Sequence, residues 1–306
     1  MTASIILIGG AGFLGSALRT VLAARGHEVL VVGRGAAPAL GDRETYVRAD
    51  DLNQLPGLLA ATPSDAIIDL AYATVPSTSA GDPVGDFSDN LGALLRHLEL
   101  ARSLRPRRYI FVSSGGTVYG DAPSPVAETL AGRPLSPYGI TKLACEHYAL
   151  LYYRVHDVPA IVLRPSNVYG PGQRPRAEQG IIAAAFGAAI DRRPLPLFDG
   201  GAQIRDFLYV DDFCAAVMAV LDRGSIGDIY NVGSGAGISI RDLLDRIGTI
   251  TGEDGLSVRL DPRPRRRFDV SASVLDIARL ASATGWAPAT GLDIGLRQTW
   301  DWLKSR

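Results

Sequence analysis

The stretch Ile5-Ile6-Leu7-Ile8-Gly9-Gly10-Ala11-Gly12-Phe13-Leu14-Gly15 constrains the fold of this chain more than any other. Its four apolar, mostly β-branched residues predict a strand buried on both faces. A tight glycine turn follows, then an amphipathic helix to about Arg25, then a second strand at 28–32. In such a unit each glycine has a task. Gly12 lets backbone approach a pyrophosphate, Gly15 lets helix lie on strand, and the helix N-terminus offers free N–H groups at the positive end of its dipole. The spacing satisfies both a 9/12/15 and a 10/12/15 triplet. Between a strand and a helix, and with another strand after them, these glycines point to a dinucleotide site rather than a bare turn.

Strands and helices then alternate as a doubly wound α/β fold requires. Strands are expected at 5–8, 28–32, 45–47, 66–70, 109–113 and 160–164, and helices at 12–25, 53–61, 87–104 and 137–155. Ligands of such sheets sit outside the strand C-termini near the switch point. After Arg164 the pattern changes. Residues 165–180 read as a Pro/Gly/polar loop, helices are expected at 180–192, 211–221, 239–252, 273–283 and 292–304, and short strands near 195–198, 229–232 and 258–260. The expected fold is therefore α/β. It has a Rossmann-type doubly wound parallel sheet over residues 1–165 and a smaller C-terminal α/β substrate lobe over 166–306, parts of which return to the sheet.

Composition narrows the function. A formal net charge of −1 gives no long-range field for nucleic acid or an anionic membrane. Two cysteines, Cys145 and Cys214, in separate helical stretches suggest neither a disulfide framework nor a zinc site. The four histidines are scattered. The N-terminus is already a core strand and no long apolar run follows, so a cytoplasmic location is expected.

Tyr138 and Lys142 lie four apart at the start of a helix, after Ser136-Pro137. That spacing puts both on one helical face. A nearby ammonium favours the ionised phenol, which suits Tyr138 to exchange a proton with a hydroxyl or ketone. The pair gains weight from Ser113-Ser114-Gly115-Gly116-Thr117-Val118-Tyr119-Gly120, which ends a central strand in small, turn-forming residues.

With these motifs the sequence resembles the extended short-chain dehydrogenase/reductases, and within them the nucleotide-sugar epimerases and dehydratases. The resemblance spans nearly the whole chain. It rests on the glycine motif, Asp51-Leu52, Asp69-Leu70-Ala71, Asn90, Ser-Ser…Val-Tyr-Gly, the Tyr/Lys pair, the run from Arg164 to Gln173, Arg205-Asp206-Phe207 and Gly285-Trp286. It implies an enzyme that uses NAD or NADP and acts on a nucleotide-diphosphate sugar. By resemblance Gly9, Gly12, Phe13, Leu14 and Gly15 meet the pyrophosphate, and Asp51 and Leu52 the adenine. Leu70, Ala71, Tyr72, Asn90, Ser113 and Pro165 line the cofactor. Tyr138 is the acid/base, and Lys142 holds the nicotinamide ribose and tunes Tyr138. Asn167 and Arg205 contact the sugar nucleotide, with Arg205 on the diphosphate. Of Arg265, Arg266 and Arg267, spacing to Asp269 selects Arg266 as a second diphosphate clamp and leaves the others to solvent.

Three departures shape the expected chemistry. Many relatives carry Ser or Thr where this chain has Gly115, so Ser114 or Thr117, or a water, takes the third catalytic role. Dehydratases place an acidic pair where Gly116 and Thr117 stand; neither of these can exchange protons near neutral pH, which argues against dehydration. Finally, the second strand ends Val32-Gly33-Arg34, without the carboxylate that meets a ribose 2′-hydroxyl. Arg34 could pair with a 2′-phosphate, which leans the expectation toward NADP; its alternatives are solvent or an adenine stack.

Trp286, Trp300, Trp302, Tyr119, His147 and Tyr148 read as packing or surface residues. The stripe Leu91, Leu94, Leu95, Leu98 has helical spacing and reads as core or as part of a twofold four-helix bundle; relatives of this type support a homodimer. Pocket width depends on residues 74–82 and 174–182. A nucleotide-sugar 4-epimerase working through a 4-keto intermediate is the first expectation. An NADPH-dependent 4-ketoreductase is its rival, and a non-catalytic cofactor-binding sensor or scaffold the third.

Overall fold

The computed structural model describes residues 3–48, 64–175, 180–266 and 268–306. Asp51, Leu52, the helix expected at 53–61 and Arg267 lie outside the described residues. The first strands are β1 (Ser4–Ile8), β2 (Glu28–Gly33), β3 (Glu44–Arg48), β4 (Ala66–Asp69), β5 (Arg108–Val112) and β6 (Ala160–Pro165). Then come β7 (Asn167–Tyr169), β8 (Pro194–Phe198), β9 (Ile204–Tyr209), β10 (Ile229–Val232), β11 (Gly237–Ser239), β12 (Arg259–Arg263) and β13 (Ala272–Ser273).

Seven parallel strands form the main sheet in the order β10-β6-β5-β4-β1-β2-β3. Strand β1 pairs with β2 on one side and β4 on the other, so the strand order reverses there. A crevice opens at the C-terminal end of β1, where doubly wound sheets bind ligands. The alternating side chains of β1 feed two cores. Ile5 and Leu7 face Leu18 and Leu22 of the Phe13–Ala24 helix and Phe213 and Val217 of the Val210–Arg223 helix. Ile6 and Ile8 face Leu91, Leu94 and Leu98 of the Pro83–Leu104 helix and Ala149 of the Pro137–His156 helix. The leucine stripe is therefore core, with Leu95 packed partly buried against it.

Two helix starts position the site. Pro83–Leu104 begins four residues before the expected 87, because Asp82 accepts the Gly85 N–H at 2.9 Å and Pro83 follows the cap. Pro137–His156 starts where expected: Ser136 Oγ accepts the Gly139 N–H at 3.2 Å, again with proline next.

The later half differs more from expectation. Strand β10 joins the main sheet beside β6, while β9 carries β11, β13 and β7 in a second sheet, and β8 pairs with β12. The expected 165–180 loop thus contains β7. The helix expected at 273–283 is replaced by β13, a bridge from Leu275 to Val126, and a helix from Ala278–Thr284 only. The cause is a distant contact: the Asp206 carboxylate accepts the Leu275 N–H at 3.3 Å, which holds this segment extended.

Candidate active site

The glycine turn closes as its sequence requires. Gly9 has φ +81 and donates its N–H to Val32 at 2.9 Å. A Cβ on Gly15 would lie 2.5 Å from Gly10 Cα and Gly9 O, so helix and turn touch through backbone. Gly12 caps the Phe13–Ala24 helix without a side-chain hydrogen bond, leaving N–H groups free for an anion. The side chains of Phe13 and Leu14 turn into the second lobe's core, so only their backbone faces the turn. This cradle fits a dinucleotide pyrophosphate. Across it, Asp69 accepts from the Ala71 N–H at 3.1 Å and fixes the Leu70–Ala71 corner, itself held by His97 at 2.6 Å and the Tyr109 hydroxyl at 2.8 Å. Asn90 stands behind this wall. Its Oδ1 accepts the Ala73 N–H at 2.7 Å and its Nδ2 donates to the Asp86 carbonyl at 2.8 Å, so it supports the loop from within protein. Arg34 is exposed beyond the end of β2, where Gly33 lies under the Tyr46 ring.

Tyr138 and Lys142 project from the first turns of the Pro137–His156 helix toward the end of β5. The Tyr138 N–H donates to buried Ser79 at 3.1 Å, which ties the helix start to the short Pro76–Gly81 helix. Burial pushes the Tyr138 hydroxyl well above its ordinary value, a hydrogen bond from Ser114 opposes this, and buried Asp86 adds to it. Lys142 is 3% exposed and donates to the Val112 carbonyl at 2.8 Å. Burial lowers it to about 8. Of the two substitutes expected for the missing hydroxyl, Ser114 meets Tyr138, while Thr117 points back to the Ser114 carbonyl at 3.5 Å. The glycine at 115 has a steric reason: a Cβ there would sit 2.6 Å from Leu275 Cδ1 and 2.9 Å from the Arg164 carbonyl.

Behind this pair lies a buried polar chain that the sequence reading missed. Ser113 donates its hydroxyl to Glu146, and Glu146 accepts from two Arg164 nitrogens, Nε at 3.0 and 3.1 Å and a terminal nitrogen at 2.6 Å. Arg164 also donates to Tyr119, whose hydroxyl donates to Asn231 at 2.7 Å. Ser113 therefore faces Glu146, and Tyr119 is structural, as read. The signal was present: Glu146 lies four residues beyond Lys142, on the same helical face. Pro165 ends β6, buried beside Val232 of β10.

The sugar-side candidates meet in a cavity of about 190 Å³ in the second lobe, lined by Asn167, Phe198, Arg205, Phe207, Arg266 and Asp269 among others. Asn167 donates to the Asp206 carbonyl at 2.9 Å. Burial lowers the pKa of Arg205, with Arg266 and Arg265 reinforcing and Asp269 opposing, so two guanidinium groups converge with one nearby carboxylate. Arg266 is held by Asp269 at 2.9 and 3.0 Å and lies 4.3 Å from the Phe198 ring centroid. Arg265 bonds to the Asp269 carbonyl and Ser271 instead. Two fixed cations facing one cavity suit a diphosphate. Among the described residues no cluster of metal-binding side chains occurs, and no helix is long and apolar enough to cross a membrane. Cys145 and Cys214 are free and buried.

Residues 5–233 match the family described as NAD dependent epimerase/dehydratase. The chain belongs to this family. It is an NAD-dependent enzyme of the extended short-chain dehydrogenase/reductase type. It is 33% identical to a UDP-glucose 4-epimerase of Mycolicibacterium smegmatis over 98% of both chains. Among solved structures it resembles a Thermus thermophilus UDP-glucose 4-epimerase in complex with NAD, with 32% identity, TM-score 0.90, and 98% and 99% of the two chains covered. It also resembles a Bacillus cereus UDP-glucuronic acid 4-epimerase bound to UDP-glucuronic acid and NAD, with 28% identity, TM-score 0.90, and 99% of each chain covered. Both of these structures hold NAD, and neither supports the NADP preference expected from Gly33 and Arg34.

Proposed function

We propose that this enzyme interconverts the C4 epimers of a uridine diphosphate hexose through a 4-keto intermediate. The observation that carries the reading is a half-buried phenol, hydrogen-bonded by Ser114 and with the Lys142 ammonium 6.0 Å from its ring centroid, beside the C-terminal end of a central strand of the sheet that bears the glycine turn. Tyr138 takes the proton of the C4 hydroxyl and later returns it. Ser114 hydrogen-bonds the same oxygen, and Lys142 favours the phenolate that the transfer requires. Oxidised nicotinamide, when bound, would supply a reversible hydride acceptor for C4. Gly9, Gly12, Gly15 and the Leu70–Tyr72 corner hold the cofactor. Arg205 and Arg266 hold the diphosphate, which tethers the sugar while its ring turns, and Asn167 contacts the sugar nucleotide. The division at 165/166 separates the two binding tasks, with β10 returned to the main sheet.

Ile140, Leu151 and Val155 are exposed on the Pro137–His156 helix, with Val84 and Phe87 exposed on its packed neighbour, Pro83–Leu104. Such an apolar patch supports a homodimer formed by these helices. An NADPH-dependent 4-ketoreductase is the second reading, resting on the absence of a carboxylate after Val32 and on Arg34 in its place.

The deciding experiment incubates purified enzyme with UDP-galactose and assays UDP-glucose. Interconversion at constant cofactor absorbance is expected, together with its loss in Tyr138→Phe. Consumption of reduced cofactor in proportion to a 4-keto sugar nucleotide, without epimerisation, would reverse the choice.

A further inference from the structure

Among the described residues no charge pairing accounts for how Lys142 is held. Three carboxylates stand near its ammonium, and each is committed elsewhere. Asp69, at the end of β4, bonds to His97 and Tyr109. Glu146, on the same helix, is bound twice by Arg164. Asp86, on the Pro83–Leu104 helix, accepts from Thr74 and from Thr141, the latter at 2.6 Å. Among the described residues no carboxylate forms an ion pair with Lys142. Two aromatic rings lie beside it. Nζ lies 3.9 Å from the Tyr72 ring centroid and 5.0 Å from that of Phe111. The Tyr72 ring also meets the Tyr138 ring edge to face at 4.9 Å, and its hydroxyl donates weakly to the Tyr138 carbonyl at 3.4 Å.

We infer that Tyr72 is a positioning residue: the face of its ring holds the buried Lys142 ammonium charged, and its contact with the Tyr138 ring fixes that ring's tilt. A cation over an aromatic face is favoured most where water is absent. The inference rests on the epimerase reading only for its effect on turnover; the electrostatic part stands without it. Other groups that bear on Lys142 are Tyr138 and the Cys145 thiol on its own helix, besides Asp69, Glu146 and Asp86. None of these side chains changes in the variants below.

The chain has only two lysines, Lys142 and Lys304, so isotope-labelled lysine gives a two-signal NMR titration. Lys304 is bound to Asp254, which raises its pKa, and serves as an internal control. Wild-type Lys142 is expected to titrate at about 8. In Tyr72→Leu its midpoint should fall by about one unit, and kcat by roughly tenfold. Tyr72→Phe, which keeps the ring, should hold the wild-type midpoint. Should Tyr72→Leu fail to fold, pentafluorophenylalanine at position 72 keeps the shape, drains the ring of its negative face, and should lower the midpoint in the same direction. An unmoved Lys142 midpoint in Tyr72→Leu or in the pentafluorophenylalanine variant, or a midpoint lowered equally in Tyr72→Phe, with Lys304 unchanged, overturns the inference. A lowered midpoint in an enzyme that shows no epimerisation overturns the functional reading instead and leaves the inference standing.

Discussion

Restoring a hydroxyl at position 115 tests the steric account of this site. In Gly115→Ser the new Cβ falls 2.6 Å from Leu275 Cδ1 and 2.9 Å from the Arg164 carbonyl. The leucine methyl can shift, but the carbonyl belongs to β6, which is paired on both sides by β5 and β10. Overpacking of this kind costs about 1–3 kcal/mol, offset by up to about 1 kcal/mol from the reduced freedom of the unfolded chain. A net loss of about 1–2 kcal/mol follows. For 306 residues the unfolding entropy is roughly 0.6 kcal/mol per degree, so Tm should fall by about 2–3 °C. Thermal melts followed by circular dichroism give this shift. The same variant combined with Leu275→Ala should show a favourable coupling of about 1 kcal/mol, because the smaller side chain opens the slot. Turnover should not rise, since the added hydroxyl enters the Leu275 slot and Ser114 already meets Tyr138. A Gly115→Ser enzyme as stable as wild type, or faster than it, would refute the reasoning.

Other expectations follow from the same geometry. Ser114→Ala should lower kcat by about a hundredfold and Thr117→Ala by far less, measured as epimer interconversion. Glu146→Gln leaves the Arg164 charge buried and unpaired, and should cost about 3 kcal/mol, a fall of about 5 °C in Tm, while a joint Glu146→Met, Arg164→Met change should cost less. Arg34→Ala should weaken NADP binding more than NAD binding in a fluorescence titration; equal weakening would remove the 2′-phosphate role. Leu151→Glu should turn a dimer into a monomer in sedimentation experiments if the exposed apolar patch is the subunit contact.

Much of the cofactor half was legible because its signals are local. The run Ile5–Ile8, the glycine triplet, and Pro after Ser136 each act within a few residues of themselves, and strands β1 to β6 lie within a residue or so of expectation. The second lobe was less legible because its pairing is distant. Strand β9 was not foreseen, nor were its short partners β7, β11 and β13. Strands this short lie in Pro- and Gly-rich segments and carry no period of their own; they exist because β9 supplies hydrogen bonds from far along the chain. Yet Asn167 and Arg205, singled out because their neighbours form a motif even where the strand does not, do line the cavity. Tyr72 and Glu146 illustrate the other limit. Each acts on Lys142 or its helix through packing that only the folded chain brings together.

Burial of the Lys142 ammonium makes stability depend on pH. Its folded value of about 8 lies below the unfolded value near 10.5. Below pH 8 both states hold the proton, and the fold bears the full cost of burying it. Between about 8 and 10.5 the unfolded chain holds more protons than the folded one, so this group makes stability rise with pH across that window. The difference amounts to about 3 kcal/mol in all. Lys142→Met removes the charge, and should therefore be more stable than wild type at pH 7 by up to about that amount, a Tm gain of about 3–5 °C, while losing activity. Subtracting the variant's pH–stability curve from that of wild type cancels the other groups that titrate there. A flat difference between pH 8 and 10.5, or a variant less stable at pH 7, would mean that Lys142 is compensated where it lies, and that the site stores no electrostatic strain for the phenolate to relieve.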